Sequence, residues 1–138
     1  MSNKKSDTRK AKILIIEDSP AVQLLTRKLL TFNDEEDYDI VLANNGEHAL
    51  NIIKESTPFD LILTDIDMPE MGGEECLKEI RSMSDPLKAK VPVIACTGNA
   101  KQRSFQEFKD MGFDDSFIKG DNYRNLMMKI QPILEKIK

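Results

Sequence analysis

Histidine occurs once in these 138 residues, at His48, and cysteine twice, at Cys76 and Cys96. One histidine excludes a histidine-cluster metal centre. Two cysteines at this spacing match neither a zinc motif nor a disulfide framework, which suits a reducing compartment. No apolar run approaches the roughly 20 residues that a membrane-spanning helix requires. The start, Met1 to Lys12, is polar and lysine-rich and lacks the apolar segment of a secretory signal. Positive charge is not in excess either: the net charge is −4, so the electrostatic footprint of a nucleic-acid binder is missing. Internal repeats and low-complexity tracts are absent. These absences leave a cytoplasmic chain with no membrane or nucleic-acid partner expected.

What is present is the composition and length of one globular domain, with 40% hydrophobic and 32% charged residues. Residues 1–10 have no apolar face to bury and read as a flexible leader, and residues 11–138 read as the domain. Two stretches lack polar alternation, Ile13 to Ile16 and Leu61 to Thr64, as expected of parallel strands buried on both faces. Tyr38 to Ala43, Val91 to Cys96 and Ser116 to Lys119 complete a set of five strands.

Helical signals alternate with them. Ser19-Pro20 is an N-cap followed by proline at the first helical position, and Val22, Leu25, Leu29 and Leu30 supply an apolar stripe to about Phe32. Asn33 to Asp37 reads as an acidic turn. Asn45-Gly46 opens a second helix with Ala49, Leu50, Ile52 and Ile53 inward, and Pro58 ends it. Glu74 to Ser84 is the third, with Cys76, Leu77 and Ile80 inward, followed by a polar loop from Ser84 to Lys90. Ala100 to Met111 is the fourth, closed by Gly112. The fifth begins near Tyr123, with a kink expected from Pro132. Five strands alternating with five helices imply a parallel sheet covered on both faces.

Function follows from where the polar residues fall. Glu17-Asp18, Asp65, Thr97 and Lys119 each stand at the carboxyl end of a strand, the edge where open α/β sheets bind ligands. Three carboxylates gathered there repel one another unless a cation or protons intervene. Oxygen ligands without His or Cys suit a hard cation such as Mg²⁺. An ionised aspartate beside that ion can attack phosphorus and form an aspartyl-phosphate, with Lys119 and the Thr97 hydroxyl serving phosphoryl oxygens. Asp67, two residues on, can offer its backbone carbonyl to the metal.

The run Asp65-Ile66-Asp67-Met68-Pro69-Glu70-Met71-Gly72-Gly73, taken with Glu17-Asp18, Thr97 and Lys119, resembles the receiver domain of the two-component response-regulator family over roughly residues 11–138. The resemblance implies a flavodoxin-like (βα)5 doubly wound sheet of strand order 2-1-3-4-5. It further implies Mg²⁺-dependent phosphorylation of Asp65 from a phosphohistidine donor, either a sensor histidine kinase or a histidine phosphotransfer protein. A domain of this kind catalyses only its own phosphorylation and dephosphorylation and is not a turnover enzyme. It signals through protein contacts, as a monomer or weak dimer. Asp67 and Asn99 are the positions expected to modulate phosphoryl lifetime.

Three residues depart from the family pattern. Gly120 follows the lysine where proline is usual, Glu17 replaces the commoner aspartate, and Ser116 occupies the switch position that usually carries Tyr or Phe. Phe117 is expected to point the opposite way along the strand. A phosphorylation-independent interaction domain is therefore a second reading, and an Asp-x-Asp phosphatase built on Asp65 and Asp67 a third. His48 reads as a solvated or partly buried residue rather than a phosphorelay histidine, and Cys96 as a small core residue. Met71, Met127 and Met128 are candidates for an adaptable binding surface, although helical spacing makes Met127 a core candidate.

Overall fold

The computed structural model describes residues 10–31, 38–98, 105–120 and 122–136. Its elements run β1 (Ala11–Ile16), α1 (Pro20–Leu30), β2 (Tyr38–Ala43), α2 (Gly46–Glu55), β3 (Leu61–Asp65), α3 (Gly73–Arg81), α4 (Pro86–Ala89), β4 (Val93–Thr97), α5 (Phe105–Met111), β5 (Asp115–Ile118) and α6 (Tyr123–Glu135). All strand pairs are parallel, in the order β2-β1-β3-β4-β5. This is the flavodoxin-like arrangement expected from the sequence.

Successive strand residues point to opposite faces, and both faces are covered, which is why β1 and β3 carry unbroken apolar runs. Leu14, Ile16 and Ile62 pack with Leu50, Ile53, Leu77 and Ile80 from α2 and α3. Ile13, Ile15, Leu61 and Leu63 pack with Leu30 of α1 and Leu126, Ile130 and Leu134 of α6. Each such side chain contributes roughly 1.5–3 kcal/mol by leaving water, so the two layers together hold the central strands rigid.

Several boundaries differ from those read in the sequence. The loop expected over Ser84 to Lys90 contains α4, because Asp85 accepts the Leu87 N–H as N-cap and Pro86 takes the first helical position. Thr97 is the last residue of β4 rather than part of a loop, and β5 begins at Asp115, which leaves Lys119 just beyond it. Helix α3 ends at Arg81, and α6 runs on through Pro132. Helix α1 buries Gln23, Thr26 and Leu30, whereas Leu24 and Leu25 are about half exposed. The leader through residue 9, the acidic turn at 33–37, Asn99 and the start of the fourth helix lie outside the described residues.

At the amino ends of β4 and β5, Arg81 acts as a clasp. One guanidinium nitrogen donates to the carbonyls of Ala89 (2.8 Å) and Val91 (2.7 Å). The other donates to the Gly112 carbonyl (3.2 Å) and the Asp114 carboxylate (3.1 Å), which also accepts the Val93 N–H (2.7 Å).

Candidate functional site

Sheet register brings the polar strand ends level. Ile16 pairs with Thr64, so Glu17 and Asp65 follow side by side, and Asp65 pairs with Cys96. Thr97 pairs with Ile118, and the Lys119 N–H donates to the Thr97 carbonyl at 2.7 Å. Glu17, Asp18 and Asp65 each present a carboxylate oxygen within 4.8 Å of the others. Glu17 and Asp65 are buried and Asp18 is exposed, so the cluster opens to solvent on one side.

Lys119 closes the cluster from the other side. Its ammonium donates to Glu17 Oε1 at 2.7 Å and lies 3.0 Å from Asp65 Oδ1. Burial pushes the Glu17 carboxyl above its ordinary range, opposed by the Lys119 hydrogen bond and reinforced by the charge of Asp65. For Lys119 burial acts downward, yet the hydrogen bonds and charges of Glu17 and Asp65 outweigh it and hold the ammonium above its ordinary value. Cys96 beside them has its thiol pushed up to about 12, mainly by burial, which suits a packing role.

Backbone geometry around the cluster is tightly specified. A Cβ at Gly73 would stand 2.4 Å from the Asp65 carbonyl oxygen, so only glycine lets α3 start this close to the end of β3. Gly120 has φ +91°, a left-handed conformation that glycine adopts without strain and proline cannot, which accounts for the residue after Lys119.

The oxygen-only donor set, with three carboxylates and two of them buried, fits a hard divalent cation. Asp67 is exposed two residues beyond Asp65. Thr97 and Ser116 lie on the opposite sheet face from Phe117, as alternation along β5 requires, and Phe117 packs with Tyr123 at 5.4 Å between ring centroids. Where an aromatic residue at 116 would sit there is an open groove of about 490 Å³, lined by Thr97, Ser116, Phe105, Ile118 and Met128 among others. Lys129 donates to the Ser116 carbonyl and, at 3.2 Å, to Asp115. His48 is exposed, and its Nδ1 accepts the Asn44 N–H at 3.1 Å.

Sequence reasoning missed two contributors. Gln23 hydrogen-bonds the Glu17 carbonyl, and the Ser19 N–H donates to Glu17 Oε2 at 3.2 Å. The signal for the first was a lone amide between apolar pairs on α1; the second leaves no mark in side-chain identity.

The family model described as response regulator receiver domain matches residues 13–131. A CpxR homolog of Haemophilus influenzae, a transcriptional regulatory protein, is 35% identical over 126 residues, covering 91% of this chain and 51% of that protein. The chain thus spans about half the length of this curated relative. The response regulator TrrA of Thermotoga maritima, solved in complex with Mg²⁺ and BeF, is 29% identical with a TM-score of 0.74, covering 89% of this chain and 98% of that one. The receiver domain of a Pseudomonas aeruginosa sensor histidine kinase, with magnesium coordinated in its active-site cleft, is 26% identical with a TM-score of 0.78, covering 92% and 99%.

Proposed function

The chain belongs to the response regulator receiver domain family of two-component signalling, and on that premise we propose that Asp65 takes a phosphoryl group from a phosphohistidine of a sensor histidine kinase or histidine phosphotransfer protein. Family members pair with histidine kinases and are in general signalling modules rather than turnover enzymes. No helix among the described residues is long and apolar enough to cross a membrane, and we place the domain in the cytoplasm. A monomer or weak dimer signalling through an unidentified protein partner completes the reading.

The observation that carries it is the convergence of Glu17, Asp18 and Asp65 within 4.8 Å beside Lys119. Glu17, Asp18, Asp65 and the Asp67 carbonyl are the ligands assigned to Mg²⁺, which when bound neutralises phosphoryl oxygens and screens the carboxylates from one another. Asp65, held by Lys119 at 3.0 Å, is the nucleophile. Attack by its carboxylate oxygen forms the acyl-phosphate bond as the P–N bond to the donor histidine breaks, and the imidazole leaves with the bonding pair. Lys119 then exchanges its contact with Asp65 for a phosphoryl oxygen, and the Thr97 hydroxyl donates to another. Asp67 and Asn99 are the positions to which we assign control of how long the phosphoryl group lasts. Ser116 gives the switch position no ring, so movement of Thr97 is taken up in the neighbouring groove, and the two conformations differ in how that groove is filled.

Incubation with acetyl phosphate and Mg²⁺ followed by intact mass tests the assignment. The wild-type chain gains one phosphoryl group, and Asp65→Asn gains none. Labelling of Asp65→Asn equal to wild type overturns the choice of acceptor. Partner binding that is indifferent to Asp65→Asn favours a phosphorylation-independent interaction domain instead.

A further inference from the structure

Helix α1 carries a buried amide where its periodicity would place an apolar residue. Gln23 is 7% exposed, and its Nε2 faces three acceptors: the Glu17 carbonyl at 2.6 Å, the Ala43 carbonyl at 3.3 Å and Asn44 Oδ1 at 3.0 Å. Three oxygen acceptors fix which end of the amide is nitrogen. The Ala43 carbonyl also accepts the Glu17 N–H at 3.0 Å, so one carbonyl at the end of β2 and one amide on α1 hold both backbone polar groups of Glu17. The peptide between Glu17 and Asp18 contains that carbonyl. Fixing it sets the direction in which the two neighbouring carboxylates leave the strand.

We infer that Gln23 is a positioning residue for the divalent cation, acting through the Glu17–Asp18 peptide. This rests on the reading of the acidic cluster as a Mg²⁺ site. Gln23 touches no carboxylate of the cluster, and its N–H groups cannot ligate a cation. Its effect is orientational: without it, the Glu17 carbonyl loses its amide donor, and the Glu17–Asp18 peptide is tied to the sheet only through the Glu17 N–H to Ala43. Outer partners that orient metal ligands typically carry a tenfold to hundredfold share of affinity.

The test compares Gln23→Met, which keeps volume and removes the donors, with Thr26→Val on the same buried face of α1. Thr26 donates to the Val22 carbonyl at 2.8 Å and not to the acidic loop. Mg²⁺ dissociation constants are measured by amide chemical shifts, and unfolding midpoints are measured separately in EDTA. Gln23→Met should bind Mg²⁺ about tenfold more weakly, while Thr26→Val stays close to wild type. Equal loss in both variants, or a Gln23→Met protein that is less stable in EDTA yet binds Mg²⁺ as wild type does, makes Gln23 a structural residue only and overturns the inference. Should Gln23→Met fail to fold, Gln23→Asn decides: it keeps an amide but withdraws it by one methylene from the Glu17 carbonyl, and unchanged Mg²⁺ affinity there overturns the inference too. Wild-type protein that takes up no Mg²⁺ refutes the metal reading itself, which is distinct from wild type and Gln23→Met binding alike.

Discussion

The acidic ends of β1 and β3 and the edge made by β4, β5 and α6 lie side by side and are built in opposite ways. Around Asp65 the charged groups are pinned, with Lys119 bridging two buried carboxylates and Gln23 and Ser19 holding Glu17 from behind. Around Ser116 large apolar side chains stand partly in water, with Phe105 at 49%, Ile118 at 42% and Met128 at 66% exposure. Phe105 is held there by the ammonium groups of Lys109 and Lys129, 5.3 and 5.7 Å from its ring centre. Such contacts are worth about 0.5–1 kcal/mol at exposed sites, far less than a packed core position. Phosphoryl chemistry needs fixed positions, and transmission needs two arrangements of similar free energy. On the proposed function, these two demands fall to adjacent but separate regions.

Removing the pin should show the contrast most strongly. In EDTA, Lys119→Met is expected to lower the unfolding free energy by about 2–3 kcal/mol, because two buried carboxylates lose their counter-charge. Mg²⁺ should restore part of that loss by binding only the folded state. Urea unfolding with and without Mg²⁺ measures both, and an unchanged midpoint in EDTA would show that the acidic end is no more rigidly specified than the groove.

A smaller effect concerns pH. Lys119 has a raised folded-state value, so its stabilisation is complete below the ordinary 10.5 and is lost as pH rises through the higher folded value. The stability difference between wild type and Lys119→Met should therefore hold through the neutral range and shrink only in strongly alkaline solution. A decline already near neutrality would mean that Glu17 and Asp65 do not stabilise the ammonium.

The smallest expected change is on the other side of the comparison. Ser116→Tyr introduces a ring beside an open groove rather than a filled core, so the cost should stay below about 1 kcal/mol, where overpacking a dense interior costs more. Thermal unfolding checks this, and a loss several times larger would show the groove to be as closely specified as the acidic end.

The same contrast explains what was legible in the sequence. Ile13 to Ile16 and Leu61 to Thr64 announce doubly covered strands, and carboxylates placed just after them must meet if the strands are parallel and in register. Composition and order suffice for that. Helix α1 was harder: Leu24, Leu25, Leu29 and Leu30 offer two apolar phases, and the helix adopts the one that turns Gln23 and Thr26 inward. What decides is the set of backbone acceptors awaiting Gln23 at the ends of β1 and β2, which no periodicity count contains. Helix α4 was missed for a related reason. Its four residues carry no stripe, and only the Asp85-Pro86 cap marks it. Residue 116 could be identified from order alone, but whether its absent ring leaves space or is filled by a neighbour depends on where Phe105 and Met128 stand.

Arg81 adds a mechanical consequence. By clasping Ala89, Val91, Gly112 and Asp114, it anchors the amino ends of β4 and β5 at one spot far along the strands from Thr97 and Lys119. One side chain thus staples the starts of both strands together at the end of the sheet opposite the acidic cluster.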